Sequence, residues 1–271
     1  MKPDAILLLA VLVVAGSPQI SPRVTPLGTQ RPKPDDSDKK NTPENHEKPE
    51  QIVARAVNAH GGRQAWASVR DSVSDGKLTY FKGKDSKNTI EVTVLRKGDS
   101  RVQRVLKQDG GELHQGSDGT STWESFNGMT ALAPGGLAGN FIESQTVRAP
   151  ASLFDFQAKG LAVRDAGKKG NARVMELEEA QAGKSPRKTR YFIDEATSRV
   201  TRIEFPTGEA KDLLGKTIPT TESYAFSDFR TVQGVLTPFR IERYVDALKI
   251  EETQFTSVRY NASVKDEAFK P

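Results

Sequence analysis

Apolar and polar residues alternate through most of the chain. In Val235–Val245, Val235, Phe239, Ile241 and Val245 fall on one side, and Arg240, Glu242 and Tyr244 on the other. A period of two over that length marks a strand with one wet face. Thr221–Arg230 precedes it across a Gln233-Gly234 turn. Leu248–Tyr260 follows, with Leu248, Ile250 and Val258 in step, and ends at Asn261. The alternation also runs upstream. Ser72–Phe81 places Leu78 and Tyr80 together, and Asn88–Arg96 sets Ile90, Val92 and Val94 against Glu91 and Thr93. Arg101–Gln108, Gly111–Gln115 and Thr120–Ser125 come next, then Leu161–Asp165, Arg173–Glu179, Thr189–Asp194 and Arg199–Phe205, with 206–217 as a polar loop. Asp109-Gly110-Gly111, Ser117-Asp118-Gly119 and Asn127-Gly128 are hairpin turns, because Gly and Asn tolerate positive φ.

Helical spacing occurs in two places. Ile52, Val53, Ala56 and Val57 make one apolar stripe after Pro49 and Glu50, which suit a helix start. Gly61-Gly62 ends that helix, and a short second one, Arg63–Arg70, carries Trp66 and Val69 three positions apart. Residues 133–158 break the strand pattern with Pro134-Gly135-Gly136 and Pro150. Within them Ala151–Phe156 reads as a short helix presenting Leu153, Phe154 and Phe156.

The pattern predicts a mainly β fold. It is an incomplete, half-open antiparallel β-barrel of about ten strands, with N-terminal helices and an inserted helical loop covering an apolar cavity. So large a curled sheet has more concave surface than two short helices fill, so an apolar ligand is expected there. The residues expected to line the cavity are Trp66, Leu78, Tyr80, Val92, Val94, Trp123, Phe154, Phe156, Phe192, Phe205 and Phe239.

The N-terminal region differs. Residues 1–17 read as a signal peptide: Lys2, an apolar run Ala5–Ala15, then small residues. That run is shorter than the roughly twenty residues a membrane span needs. Residues 18–48 are rich in Pro and charge, with almost no large apolar residue after Leu27, and read as a disordered tether. The binding domain is then 49–271, and the product is expected to be exported, periplasmic, soluble after signal removal, and monomeric.

Composition removes several function classes. There is no cysteine, which excludes a disulfide framework, thiolate metal ligands and a cysteine nucleophile. The forty basic residues are interleaved with thirty-five acidic ones, and this argues against a nucleic-acid footprint. The basic clusters at Lys168-Lys169 and Arg187–Arg190 read as solvated hairpin ends, capable at most of transient contact with an anionic membrane surface.

No catalytic or metal constellation is visible, and no cofactor is expected. The three histidines, His46, His60 and His114, lack ligand spacing. There is no Gly-x-Ser-x-Gly elbow. The Gly-Lys-Thr ending Gly208–Thr217 has the wrong spacing for a phosphate loop and precedes a strand. Glu176, Glu178 and Glu179 read as a solvated strand face. Asn261-Ala262-Ser263 fits a glycosylation sequon, a short and unspecific match.

Several motifs, in order, resemble one family. They are Ala56…His60-Gly61-Gly62…Trp66…Val69 leading to Gly76, and Tyr191–Thr197 followed by Arg199–Phe205. Asp228-Phe229-Arg230, Gly234-Val235-x-x-Pro238-Phe239 and Asn261…Phe269-x-Pro271 complete the set. From about Glu50 to Pro271 the chain resembles the bacterial outer-membrane lipoprotein-sorting and carrier superfamily, the LolA/LolB-like proteins. The resemblance implies a half-open barrel with a hydrophobic cavity for lipid or the acyl chains of lipoproteins. A related envelope-stress regulator adds the alternative of a sensor or scaffold that binds a protein or peptide partner on the concave face, and an enzyme acting on an envelope lipid is the third reading. The family's gating arginine falls among Arg96, Arg101 and Arg104. The folded part is longer than the standard carrier.

Overall fold

The computed structural model describes residues 47–82, 86–132, 151–181, 184–211 and 217–271. The signal peptide and nearly all of the tether expected from the sequence lie outside them, as do 133–150 of the inserted loop and 212–216. The described residues belong to one unit, His46–Pro271.

Two helices open the domain, α1 (Pro49–Ala59) and α2 (Gly62–Ala67). Six strands follow: β1 (Asp71–Lys82), β2 (Ser86–Lys97), β3 (Arg101–Gln108), β4 (Gly111–Asp118), β5 (Thr122–Phe126) and β6 (Met129–Leu132). A one-turn helix α3 (Ala151–Phe154) precedes seven more: β7 (Ala162–Lys169), β8 (Ala172–Gln181), β9 (Lys184–Asp194), β10 (Val200–Lys211), β11 (Thr217–Val232), β12 (Val235–Val245) and β13 (Leu248–Tyr260). The chain ends in a 3-10 turn, Asp266–Phe269.

All thirteen strands form one antiparallel sheet in the order β6-β5-β4-β3-β2-β1-β13-β12-β11-β10-β9-β8-β7. This is sequence order cut once and rejoined. Two meanders, β1–β6 and β7–β13, meet where β13 pairs with β1, Ser72 opposite Tyr260. β6 and β7 are the two edges and do not pair, so the sheet is open rather than a closed barrel.

The described residues hold thirteen strands, more than the ten or so expected of the barrel and one more than the twelve alternating runs in the sequence. Met129–Leu132 carries no alternation long enough to read as a strand, yet it pairs with β5. The expected polar loop at 206–217 is also largely strand. β10 runs on to Lys211, and the irregularity between Pro206 and Gly208 is a bulge rather than an end. On β13, Leu248, Ile250 and Val258 do not share a face. Irregularities opposite Asp75–Gly76 and Arg243–Tyr244 shift the alternation, Phe255, Thr253 and Glu251 continue the face of Val258, and Leu248 is 52 % exposed.

α1 forms as its stripe dictates. Pro49 occupies the first turn, the Gln51 side chain accepts from the Lys48 N–H at 2.9 Å, and Ile52, Val53, Ala56 and Val57 are all buried. Burying each of the three branched side chains is worth about 1.5–3 kcal/mol. They pack on Met175, Tyr191, Ile193 and Ile203 in one core, together with Leu153, Phe154 and Phe156. A second core collects Leu78, Val92, Val102, Leu106, Val235 and Phe255. Trp66 touches both.

Candidate functional site

The junction between α1 and α2 is built on His60, which is 1 % exposed. Its Nε2 accepts the Val200 N–H at 3.0 Å, and its Nδ1 donates to the Leu236 carbonyl at 3.2 Å, which fixes the Nδ1–H tautomer. Its own carbonyl accepts from the Leu236 N–H and from Trp66 Nε1, at 3.1 and 3.0 Å. Burial lowers the imidazole pKa to about 4, the Leu236 contact opposing and the Arg199 charge adding to the effect. His60 is therefore neutral at pH 7 and joins the helices to β10 and β12. Gly61 follows at φ 106°, so close to the β11–β12 hairpin that a Cβ would lie 2.2 Å from the Gly234 oxygen. This explains the His-Gly pair in the sequence. Phe154 of α3 packs on both rings, 5.6 Å from His60 and 5.7 Å from Trp66, and its carbonyl accepts from Arg63.

Trp66 of α2 and Val69 just after it cap a cleft on the inner face of the sheet, with a volume of about 170 Å³. Register arranges its lining in layers. Near the roof lie Trp66, Val69, Ser72, Thr237 and Tyr260, with the Thr237 and Tyr260 hydroxyls 2.8 Å apart. The middle carries Val92, Val94, Phe226, Ile241, Phe255 and Val258, with Ser74 between Val94 and Val258 and Thr253 opposite Ile241. The far end is charged, where Arg104, Arg243 and Glu251 face the cleft, each at most 7 % exposed.

These charges form a chain of contacts across the sheet. Glu251 on β13 lies 3.5 Å from Arg104 Nη1 and 3.4 Å from Arg243 Nη1. Arg104 donates to Gln115 Oε1 at 2.7 Å, and Gln115 donates to Glu124 at 2.6 Å. Arg243 holds both oxygens of Glu222, at 2.7 and 3.2 Å, and Tyr224 donates to the same carboxylate. Burial works against the Arg243 cation, but Tyr224, Glu222 and Glu251 more than offset it and raise its pKa. Tyr80 stands opposite Glu251 across the β1–β13 ladder, and burial raises its hydroxyl pKa.

Of the residues expected to line the cavity, Trp66, Val92, Val94 and Phe205 line the cleft. Leu78, Tyr80 and Phe239 belong to the adjoining core without lining it, and Arg230 lies 4.3 Å over the Phe239 ring. Phe154 and Phe156 are buried in the core beneath α1. Trp123 and Phe192 lie on the outer face. Trp123 pairs with Gly116 and donates to the Phe269 carbonyl at 2.8 Å, and Phe192 lies under Lys169 and Arg202. Of the three arginines in question, Arg96 and Arg104 line the cleft, and Arg101 pairs with Asp266 at 2.9 Å.

The charged end was not anticipated from the sequence. The available signal was a charge in phase with an apolar strand face: Arg243 with Ile241, Arg104 with Val102 and Leu106, Glu222 with Tyr224 and Phe226. Glu176 needs a further correction. It is 1 % exposed rather than solvated, held on the outer face by Arg164, by Arg190 at 3.1 Å and by Lys188 at 3.8 Å. Desolvation pushes its carboxyl up, but the arginine hydrogen bonds outweigh this and lower its pKa. Lys188 and Arg190 thus lie within β9 rather than at a hairpin end.

Among the described residues no three His, Asp or Glu side chains are grouped to hold a metal. His114 lies in a polar outer groove with Gln103, Trp123 and Lys270, and His46 is outside the described residues. Gly208 lies within β10, and Thr217 begins β11. The Asn261 side chain accepts from the Arg70 N–H at 2.9 Å, which gives the sequon asparagine a structural role. No described helix is long and apolar enough to cross a membrane.

No protein-family model matches the chain, and no curated protein does. Solved structures do. A LolA superfamily protein from Nitrosomonas europaea superposes with a TM-score of 0.55 at 13 % identity, over 83 % of this chain and 98 % of its own. A DUF1329 family protein from Desulfovibrio piger gives 0.52 at 13 % identity, over 83 % and 98 %. A putative outer membrane lipoprotein-sorting protein domain from Vibrio parahaemolyticus gives 0.51 at 12 % identity, over 81 % and 94 %. The fold is LolA-like.

Proposed function

We propose that this LolA-like chain binds lipid or the acyl chains of lipoproteins in the cell envelope, without catalysis. One observation carries the reading: a cleft on the inner sheet face, capped by Trp66 and Val69, whose middle is lined mainly by apolar side chains. The mechanism is burial. Each methylene taken from water contributes about 0.8 kcal/mol, so a fourteen-carbon chain contributes on the order of 10 kcal/mol before ordering costs. The cleft, at about 170 Å³, is smaller than the roughly 300–1,000 Å³ of pockets that enclose whole ligands. A full acyl chain therefore requires it to widen. The roof is the element to move, since α2 supplies only Trp66 and the following turn only Val69. The polar side chains at the far end bond chiefly to each other, which favours binding over catalysis. Within this reading residues 1–17 export the chain to the periplasm, 18–48 tether it, and 49–271 bind.

Native mass spectrometry after gentle purification tests this. A co-purified lipid mass that detergent washing removes is expected. A bare protein that also takes up no fluorescent fatty acid would exclude it.

A further inference from the structure

The basic side chains are not all balanced in the same way. On the sheet, arginines pair with carboxylates: Arg164 and Arg190 with Glu176, Arg173 with Asp165, Arg230 with Asp228, and Arg240 with Glu242 and Glu252. Lys188 and Arg190, which the sequence offered for contact with an anionic surface, are thus committed to Glu176. The segment that caps the cleft differs. From His60 to Arg70 it holds two arginines and no acidic residue. Arg63 and Arg70 are both exposed. Among the described residues neither pairs with a carboxylate: Arg63 donates to the Phe154 carbonyl at 3.2 Å, and the Arg70 side chain meets no partner. Neighbouring elements do not cancel them. α1 with its N-cap is balanced, Lys48 and Arg55 against Glu47 and Glu50. Asp71 is buried, Asp99 pairs with Lys159 at 3.7 Å, and Asp266 pairs with both Lys97 and Arg101. Asp155 follows Phe154 without pairing with Arg63.

The two arginines straddle Trp66 along the chain, Arg63 before it and Arg70 after it. Trp66 and Val69 line the cleft, and α2 itself has no buried residue. One short element therefore has an apolar side on the cleft and a cationic side on solvent. Guanidinium groups grip phosphate oxygens in pairs and stay charged at any physiological pH. We propose that the exposed side of α2 docks on an anionic bilayer, with Arg63 and Arg70 meeting lipid phosphates. A bilayer fits this face better than an acidic peptide, because docking there lays the capped end of the cleft beside acyl chains. Each arginine near such a surface contributes about fivefold in affinity, so two give weak, reversible docking. The inference rests on the binding reading above for what the docking serves, and it adds the surface through which ligand is exchanged.

The test is flotation of the full chain with vesicles of phosphatidylcholine alone, and of phosphatidylcholine and phosphatidylglycerol in equal parts, at low salt. The anionic vesicles should bind it about tenfold or more better, and high salt should abolish the difference. In the double variant Arg63→Gln with Arg70→Gln, binding to anionic vesicles should fall about tenfold or more. The double variant Lys77→Gln with Lys107→Gln removes the same charge from exposed positions on the outer face of the sheet, and should lose less than about threefold. Arg70→Gln alone, at a side chain with no contact to lose, should weaken binding about fivefold, and keeps the test intact where the first double variant fails to fold. Uptake of a fluorescent fatty acid from solution should be unchanged in all three. No preference for anionic vesicles, or equal losses in the two double variants, overturns the inference, and continued uptake by the wild-type chain leaves the binding reading standing. Tighter binding to polyglutamate than to the anionic vesicles also overturns it, in favour of an acidic protein partner. Docking without any uptake supports the surface and overturns the binding reading. Neither docking nor uptake overturns both.

Discussion

At the scale of single residues, His60 carries the most testable claim. Its two ring nitrogens are committed to the Val200 and Leu236 backbones, and only the neutral ring can satisfy both. Burial lowers its pKa from 6.5 to about 4. Between those values the unfolded chain binds more protons than the folded one. This contribution to stability is complete above pH 6.5, declines as pH falls, and is gone near pH 4. The loss attributable to this one group is about 3 kcal/mol. Urea unfolding across that range should show the decline, and His60→Asn should be less stable at pH 7 and flatter with pH. An unchanged slope in the variant would mean that other groups set the acid sensitivity. The sequence placed His60 beside Gly61 at a helix end and argued against metal ligation. It could not show which backbone groups the ring bridges, because Val200 lies 140 residues away. Glu251 was hidden for a different reason. Bulges on β13 put it on the inner face, and alternation counted along one strand does not reveal where a bulge resets it.

At the scale of elements, the two helices and the β11–β12 hairpin act as one joint. Gly61 and Gly62 both have positive φ, at 106° and 82°. Only Gly61 lies against the hairpin, whereas a Cβ on Gly62 would meet nothing within 4 Å. Gly62→Ala should cost about 1–2 kcal/mol, the backbone strain alone. Gly61→Ala should cost distinctly more, about 3 kcal/mol, because the Gly234 carbonyl must also move. Thermal melts of the two variants separate these cases, and equal losses would place the hairpin contact outside the energetics. The strands were largely legible because alternation and hairpin turns specify them locally, as Val232, Gln233, Gly234 and Val235 do across one tight turn. β6 was not, since its four exposed residues carry no inward face to read.

At the scale of the whole molecule, the sequence indicated an open, curled antiparallel sheet with a helical roof. It did not locate the seam. The pairing of β1 with β13 joins residues nearly two hundred positions apart, and nothing local in either strand names its partner. The same limit applies to the expected cavity residues. Trp66, Val92, Val94 and Phe205 converge on the cleft, while Trp123 and Phe192 fall on the outer face because their strands present those positions outward.

This arrangement supplies its own probe, because the chain has two tryptophans, one lining the cleft and one on the outer face. A fatty acid brominated along its chain quenches tryptophan only on contact. It should quench Trp66 in a Trp123→Phe protein, saturably and at one ligand per chain, and leave Trp123 fluorescence intact in a Trp66→Phe protein. Equal quenching of both, or of neither, would contradict an acyl-chain site in the cleft.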